Sequence, residues 1–82
     1  MMDFYLIFFP REHSIQWEAM SESFVPDPAA FPDHWYKRYQ FPQDKSEEAF
    51  KKLIKIRDEM NEKRAVPSTK RNIFPEEKDI LE

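Results

Sequence analysis

The stretch 43–65, QDKSEEAFKKLIKIRDEMNEKRA, constrains the fold of this chain more than any other segment. Pro42 and Pro67 bracket it, and it contains neither proline nor glycine. Its apolar residues recur at spacings of three and four, which places them on one stripe of a helix. The members of that stripe are Ala49, Leu53, Ile56 and Met60. We predict one long amphipathic helix, whose last turn, from Asn61 onward, extends into solvent.

The segment Phe4–Phe9 has the composition of a β-strand, because it is short, aromatic and branched, and Pro10 ends it. Its alternate residues are apolar on both faces. Strands of this kind are usually covered on both sides. One helix can cover only one side, so we expect either the next helix or another protein to cover the second.

The next segment has a helical pattern. Ser14 is a suitable N-cap, and Trp17, Met20 and Phe24 recur at helical spacing, which predicts a short helix over Ile15–Ser23. Phe24–Pro32 holds three prolines in nine residues and is predicted to be a connecting loop.

Two segments leave alternatives open. His34–Phe41 is rich in aromatic residues, which favours a strand, whereas the preceding Pro-Asp pair favours the start of a helix. The strand is the preferred interpretation. The segment 67–82 is mostly polar and is predicted to be a C-terminal tail that is extended or partly disordered.

Together these segments predict a small α+β domain over residues 1–66, with two short strands, one short helix and one long helix. The alternative is a mainly α-helical domain with a short N-terminal strand. A chain of 82 residues has the size of one domain, and its core must be thin.

Composition excludes several classes of site. The chain has no cysteine, which rules out disulfides, thiolate metal ligands and thiol catalysis. It also has no glycine, which rules out the phosphate-binding loops and nucleophile elbows that depend on that residue. No signal peptide or membrane-spanning stretch is recognisable. We therefore expect a cytoplasmic protein that carries no cofactor and does not act at a membrane.

The sequence does not predict a metal or catalytic site. A metal site needs three or four converging ligands, and the two histidines lie twenty-one residues apart without ligand spacing. The side chains that could serve as metal ligands are His13 and His34 with Glu12, Asp27 and Asp33. Catalytic carboxylates need a pocket that shifts their pKa, and a chain of this length has little room for one. We therefore expect a protein that is not an enzyme.

Charge is distributed unevenly along the chain. Residues 1–33 carry a net charge of −5, residues 34–71 a net charge of +5, and residues 72–82 a net charge of −3. One interpretation is that the acidic ends fold back on the basic middle. The other is that the middle presents a positive face to an anionic partner.

Binding to another protein is the function that the sequence favours, with the chain acting as an inhibitor or adaptor. The strand is apolar on both faces, and a sheet of two short strands exposes its edges. The predicted contact residues are Tyr5, Ile7, Phe9, Trp35, Tyr36 and Phe74. The same features are compatible with a homodimer formed by pairing of sheet edges.

Nucleic-acid binding is the alternative. Aromatic residues interleaved with bases can stack on unpaired bases and neutralise phosphates. The residues that fit this chemistry are Trp35, Lys37, Arg38 and Tyr39, with Lys51, Lys52 and Lys55 on the long helix. The net negative charge of the whole chain argues against it.

Overall fold

The computed structural model of the chain describes residues 2–10, 16–21, 27, 29–68 and 73–81. These residues form three strands and two α-helices, with one turn of 3-10 helix. In chain order the elements are β1 (Met2–Phe8), β2 (Trp17–Met20), the 3-10 turn (Asp33–Trp35), β3 (Tyr36–Phe41), α1 (Ser46–Glu62) and α2 (Glu77–Leu81). The predicted α+β class is confirmed.

The three strands form one antiparallel sheet in the order β2-β1-β3. The first strand of the chain is therefore the central one. Leu6, in the middle of β1, lies opposite Ala19 on one side and Lys37 on the other. β2 and β3 are the two edges of the sheet.

Both helices contribute to a core on one face of the sheet. Alternate residues of β1 point to that face, as do the aromatic residues opposite them on β2 and β3. The buried cluster consists of Phe4, Leu6, Phe8, Trp17, Tyr39, Phe41, Ala49, Leu53, Met60 and Ile80. Burying a side chain of the Leu or Phe type contributes about 1.5–3 kcal/mol each, so this aromatic layer is the main source of stability.

The long helix is confirmed, with bounds inside the predicted 43–65. Its C-terminus is closed by a Schellman turn, in which the N–H of Arg64 donates to Asn61 O and that of Ala65 donates to Met60 O. Arg64 has φ of 53°, the left-handed conformation that glycine normally supplies at this position. A chain without glycine has to place another residue there.

The predicted short helix is wrong over the residues that the structure describes. Trp17–Met20 forms β2, in which Trp17 lies in the core and Glu18 points to the opposite face. The helical spacing of Trp17 and Met20 was therefore misleading, because pairing with β1 decides the conformation. Ser14, Ile15 and Phe24 lie outside the described residues.

The preferred strand after the proline-rich loop is confirmed from Tyr36 to Phe41. Asp33–Trp35 forms a 3-10 turn instead, which fits the helix-start signal of the Pro-Asp pair. Of the loop itself, only residues 27 and 29–32 are described, and there Ala30 and Phe31 donate backbone hydrogen bonds to Asp27 O.

The C-terminal segment is not an extended tail where the structure describes it. Glu77–Leu81 forms α2, and Ile80 is buried in the core. The ring of Phe74 lies edge-on to Trp17, with 5.6 Å between the ring centroids. This segment is mostly polar, but its apolar residues, such as Phe74 and Ile80, explain why it packs against the domain. Within the described ranges, no helix has both the length and the apolar character needed to cross a membrane.

Candidate protein-binding site

The direction of each backbone N–H follows from two hydrogen bonds at the ends of the ladder. Phe9 N–H donates to Gln16 O, so the odd-numbered residues of β1 face β2 and the even-numbered ones face β3. Gln40 N–H donates to the Glu77 carboxylate, so it points away from β1. Because backbone direction alternates along a strand, Tyr36 and Arg38 also point outward, and Lys37 and Tyr39 point toward β1.

The outer edge of β2 is closed at Trp17 by one side chain of α1, whereas the other outward-facing residue, Ala19, has no described hydrogen bond there. Asn61 Oδ1 accepts hydrogen bonds from the N–H groups of Trp17 at 2.8 Å and Gln16 at 3.2 Å. Its Nδ2 donates to Trp17 O at 3.1 Å. The amide thus provides Trp17 with the donor and acceptor that a neighbouring strand would provide.

The indole of Trp17 reinforces the same closure. Its Nε1 donates to Ala65 O at 2.8 Å. Ala65 belongs to the Schellman turn, so the end of α1 binds both the backbone and the side chain of Trp17. Arg57 adds an ion pair from α1 to Glu18 at 3.9 Å.

Among the described residues, the outer edge of β3 has a backbone hydrogen-bond partner at one end only. Glu77 Oε1 accepts from Gln40 N–H at 3.3 Å. Beside it, the Lys37 ammonium lies 3.4 Å from the Glu76 carboxylate and 3.3 Å from Pro75 O. The C-terminal segment therefore binds the backbone of this edge at Gln40 and contacts the Lys37 side chain on the helix face.

Tyr39 holds the same segment from within the core. Its hydroxyl donates to Pro75 O at 2.7 Å. Burial raises the pKa of this hydroxyl well above its ordinary value, and the nearby carboxylates of Glu76 and Glu77 raise it further. The group is therefore a neutral donor at physiological pH.

Tyr36 and Arg38 are the part of the edge that remains open. No described strand pairs with their outward N–H and C=O groups. Arg38 is exposed on the sheet face opposite the helices, and no described carboxylate lies within ion-pairing distance of it. A cleft of about 380 Å³ lies beside this edge, lined by Lys37 and residues 76–78. We take this edge as the candidate site and name it the β3 edge.

The structure places three predicted contact residues of the segment Phe4–Phe9 on the face of the sheet away from the helices. Tyr5 is 7% exposed and Ile7 is fully buried, so neither is accessible to a partner in this conformation. The Phe9 ring is half-buried against Phe31, with 5.2 Å between the centroids. The second face of β1 is thus covered within the chain itself.

The other three predicted contact residues are half-buried. Trp35 packs edge-on against Phe8 at 5.5 Å, and the Tyr36 ring lies 6.5 Å from that of Tyr5. Phe74 packs against Trp17 in the core. Of these three, only Tyr36 belongs to the β3 edge.

The residues of the nucleic-acid alternative do not share one surface. Tyr39 is fully buried and cannot stack on a base. Lys37 pairs with Glu76 on the helix side of the sheet, whereas Arg38 points to the opposite side. The three lysines named for this function lie on α1, where Lys51 pairs with Glu47 at 3.8 Å, Lys52 is half-buried and Lys55 is exposed.

The charge pattern is partly satisfied inside the domain. Arg57, from the basic middle, pairs with Glu18 from the acidic N-terminal part, and Lys37 pairs with Glu76 from the acidic C-terminal part. Complementarity between the ends and the middle therefore explains part of the uneven distribution.

The residues weighed as metal ligands do not gather in the described part of the chain. No group of three His, Cys, Asp or Glu side chains there could hold an ion. The His34 ring lies 6.3 Å from that of Trp35, and His13 and Glu12 lie outside the described residues.

No protein-family model, curated protein or solved structure matches this chain. The function therefore has to be inferred from the β3 edge and its surroundings.

Proposed function

We propose that this chain is a non-enzymatic binding protein that takes up an extended segment of another protein along the β3 edge. The observation that carries the proposal is the outward direction of the Tyr36 and Arg38 backbone groups on an edge strand. An incoming strand would accept from their N–H groups and donate to their C=O groups, which is β-strand addition.

The hydrogen bonds at the outer edge of β2 support this proposal. Exposed strand edges favour uncontrolled pairing with other chains, and natural proteins usually cover, shorten or interrupt them. Here Asn61 closes β2 at Trp17 and leaves Ala19 open, whereas Glu77 closes β3 at Gln40 and leaves both Tyr36 and Arg38 without a described partner. The two open residues of β3 offer a partner a longer ladder than the one open residue of β2, which makes β3 the more suitable place for a partner.

The side chains around the opening fit a peptide contact. The rings of Tyr36 and Trp35 are half-buried, so each offers apolar area at low entropic cost. Among the described large apolar side chains only Val66, at 63%, is exposed, so an extended strand is favoured over a broad apolar patch. Covering a partner's segment is how an inhibitor or an adaptor of this size would act; a cytoplasmic location and a homodimer stay predictions from the sequence.

Selection of peptides tests the proposal. A displayed library of random twelve-residue peptides is panned on the folded protein, and enriched peptides are titrated against ¹⁵N-labelled protein. We expect the largest shifts at the amides of Tyr36 and Arg38, because these N–H groups gain acceptors. An Arg38→Pro variant removes one of them at a position where an edge strand tolerates proline, and we expect it to weaken binding at least tenfold.

The matched control is Arg38→Ala, which removes the guanidinium and keeps the N–H. It separates the loss of a backbone donor from the loss of a side chain. Both variants are first checked for the native amide spectrum. The proposal is wrong if no peptide is enriched, or if the enriched peptides bind Arg38→Pro as tightly as the unchanged protein.

A further inference from the structure

The side chains of the β3 edge indicate the chemistry of its partner, provided that the edge takes up a strand as proposed above. Arg38 and Tyr36 lie on the sheet face away from the helices, and Lys37 lies on the helix face. Lys37 already has a carboxylate partner in Glu76. The exposed Arg38 has none among the described residues, and it is the cation that a new strand would meet.

The chain's own C-terminal segment shows what this edge attracts. Where that segment meets β3, it does so through the two adjacent carboxylates of Glu76 and Glu77, one on the Lys37 ammonium and one on the Gln40 N–H. Carboxylates form the stronger, charge-assisted type of hydrogen bond with such donors. These contacts reach from the Gln40 N–H to the Lys37 side chain on the helix face, and they leave the outward N–H groups of Tyr36 and Arg38 without a described partner.

A second copy of the chain fits this edge poorly. In an antiparallel two-fold pairing, the residue on the symmetry axis lies opposite its own equivalent in the second copy. Centring on residue 38 places Arg38 against Arg38, and centring on residue 37 places Lys37 against Lys37; like charges directly opposite are destabilising. Centring on residue 39 requires the Gln40 N–H, which Glu77 already occupies, and centring on residue 36 pairs little more than that residue, because Asp33–Trp35 forms the 3-10 turn.

We propose that the strand taken up by the β3 edge belongs to a different protein and carries a carboxylate on the face of the sheet that holds Arg38. That side chain would lie directly opposite Arg38 or diagonal to it, within reach of its guanidinium. The partner is therefore an extended acidic segment, and a second copy of this chain is an outcome of the test.

The test uses a charge reversal at one position. The twelve-residue library is panned in parallel on the unchanged protein, on Arg38→Ala and on Arg38→Glu, all of which keep the outward N–H. We expect Asp and Glu to be at least twofold enriched in the peptides selected by the unchanged protein. We expect that enrichment to disappear with Arg38→Ala and to be replaced by Lys and Arg with Arg38→Glu. Lys55→Glu, an exposed change on α1, is the control and should leave the selection unaltered.

Each result decides one of the two proposals. Peptides that depend on the Arg38 N–H but show no acidic preference would overturn this inference and leave strand uptake standing. Failure to enrich any peptide that Arg38→Pro loses would overturn strand uptake itself. The solution mass of the unchanged protein adds an independent check, since a dimer that Arg38→Pro converts to monomer would show that a second copy occupies the edge.

Discussion

The two edge strands of this sheet differ in the groups that bind their outward backbone N–H and C=O groups. At β2, Asn61 binds both the N–H and the C=O of Trp17 through a side chain that is itself part of α1. At β3, a single carboxylate from the C-terminal helix binds one N–H, that of Gln40. The first edge is closed at Trp17 by groups that also hold the core together, and the second is closed at Gln40 by a short segment at its margin.

The difference indicates which edge can change partners. Releasing β2 would leave three half-buried polar groups without hydrogen bonds and would expose Trp17. Such groups cost about 1–3 kcal/mol each when left unsatisfied. Pairing a new strand with Tyr36 and Arg38 breaks no described hydrogen bond. The asymmetry therefore favours β3 as the binding edge.

Proline substitution gives the largest expected effect. Lys37→Pro removes an N–H that faces β1 and leaves a backbone C=O of β1 unpaired. We expect it to lower the free energy of unfolding by about 3 kcal/mol or more. Arg38→Pro removes an N–H that faces outward and should cost less than about 1 kcal/mol. Urea unfolding followed by circular dichroism measures both.

Lys37→Ala serves as the control for that pair, because it removes the ion pair with Glu76 and leaves the backbone intact. Its cost is subtracted from that of Lys37→Pro. Equal losses for the two proline variants would contradict the assigned backbone direction, and with it the open edge at β3.

The two closing side chains provide the next comparison. Asn61→Ala leaves the polar groups of Trp17 and Gln16 unpaired, and we expect a loss of about 2–3 kcal/mol. Glu77→Ala removes one hydrogen bond at a half-buried site and should cost less than about 1 kcal/mol. Glu62→Ala, an exposed change beside Asn61, is the control and should be near neutral. Similar losses at both edges would remove the asymmetry on which the proposed site depends.

The sequence predicted the elements whose pattern is local. The central strand and the long helix each have an unbroken pattern of apolar residues and a proline at the boundary, and both are present. β2 was missed because Trp17 and Met20 also fit a helical spacing and because Glu and Ala favour helices. Pairing with β1 overrides these preferences, and no local pattern reports it.

The candidate site could be predicted only in part. Tyr36 and Arg38 were selected for their aromatic and basic character, and both lie on the open edge. The direction of their N–H groups depends on the register with β1, which the sequence does not contain. Asn61 was expected to extend into solvent, which is wrong, because it binds Trp17, 44 residues earlier in the chain. An asparagine in a polar last turn gives no signal of such a contact.

Raising the pH tests whether the Tyr39 hydroxyl is buried beside the C-terminal segment, because ionising a buried hydroxyl destabilises the fold. The folded-state pKa of Tyr39 lies above the ordinary value of about 10. Stability from this group is therefore complete below pH 10 and is lost as the pH rises, by at most about 1.4 kcal/mol for each unit. We expect Tyr39→Phe to be less stable at neutral pH and to show a flatter decline from pH 10 to 11.

Tyr36→Phe is the matched control, since it removes a tyrosine hydroxyl that has no described hydrogen bond and does not contact Pro75. Unfolding in urea at pH 8, 10 and 11 gives the required free energies. A decline that is the same in Tyr39→Phe as in the unchanged protein would show that the Tyr39 hydroxyl is not buried beside the C-terminal segment in solution.

The smallest expected effect is a gain at the turn that supports the β2 edge. Arg64 has φ of 53°, where a side chain with a Cβ is strained by about 1–2 kcal/mol. Arg64→Gly relieves that strain and adds freedom to the unfolded chain, so we expect a net gain of about 0.5–1 kcal/mol. For a domain of this size, 1 kcal/mol raises the Tm by about 4–8 °C, which calorimetry resolves.

Lys63→Gly is the control for that gain, because Lys63 has φ of −76° and glycine there should be destabilising. A gain at residue 64 with a loss at residue 63 would establish that the left-handed turn is formed in solution. That turn places Ala65 O within 2.8 Å of the Trp17 indole. A loss at both positions would instead show that the turn is not formed as described, and the closure of the β2 edge would then depend on Asn61 alone.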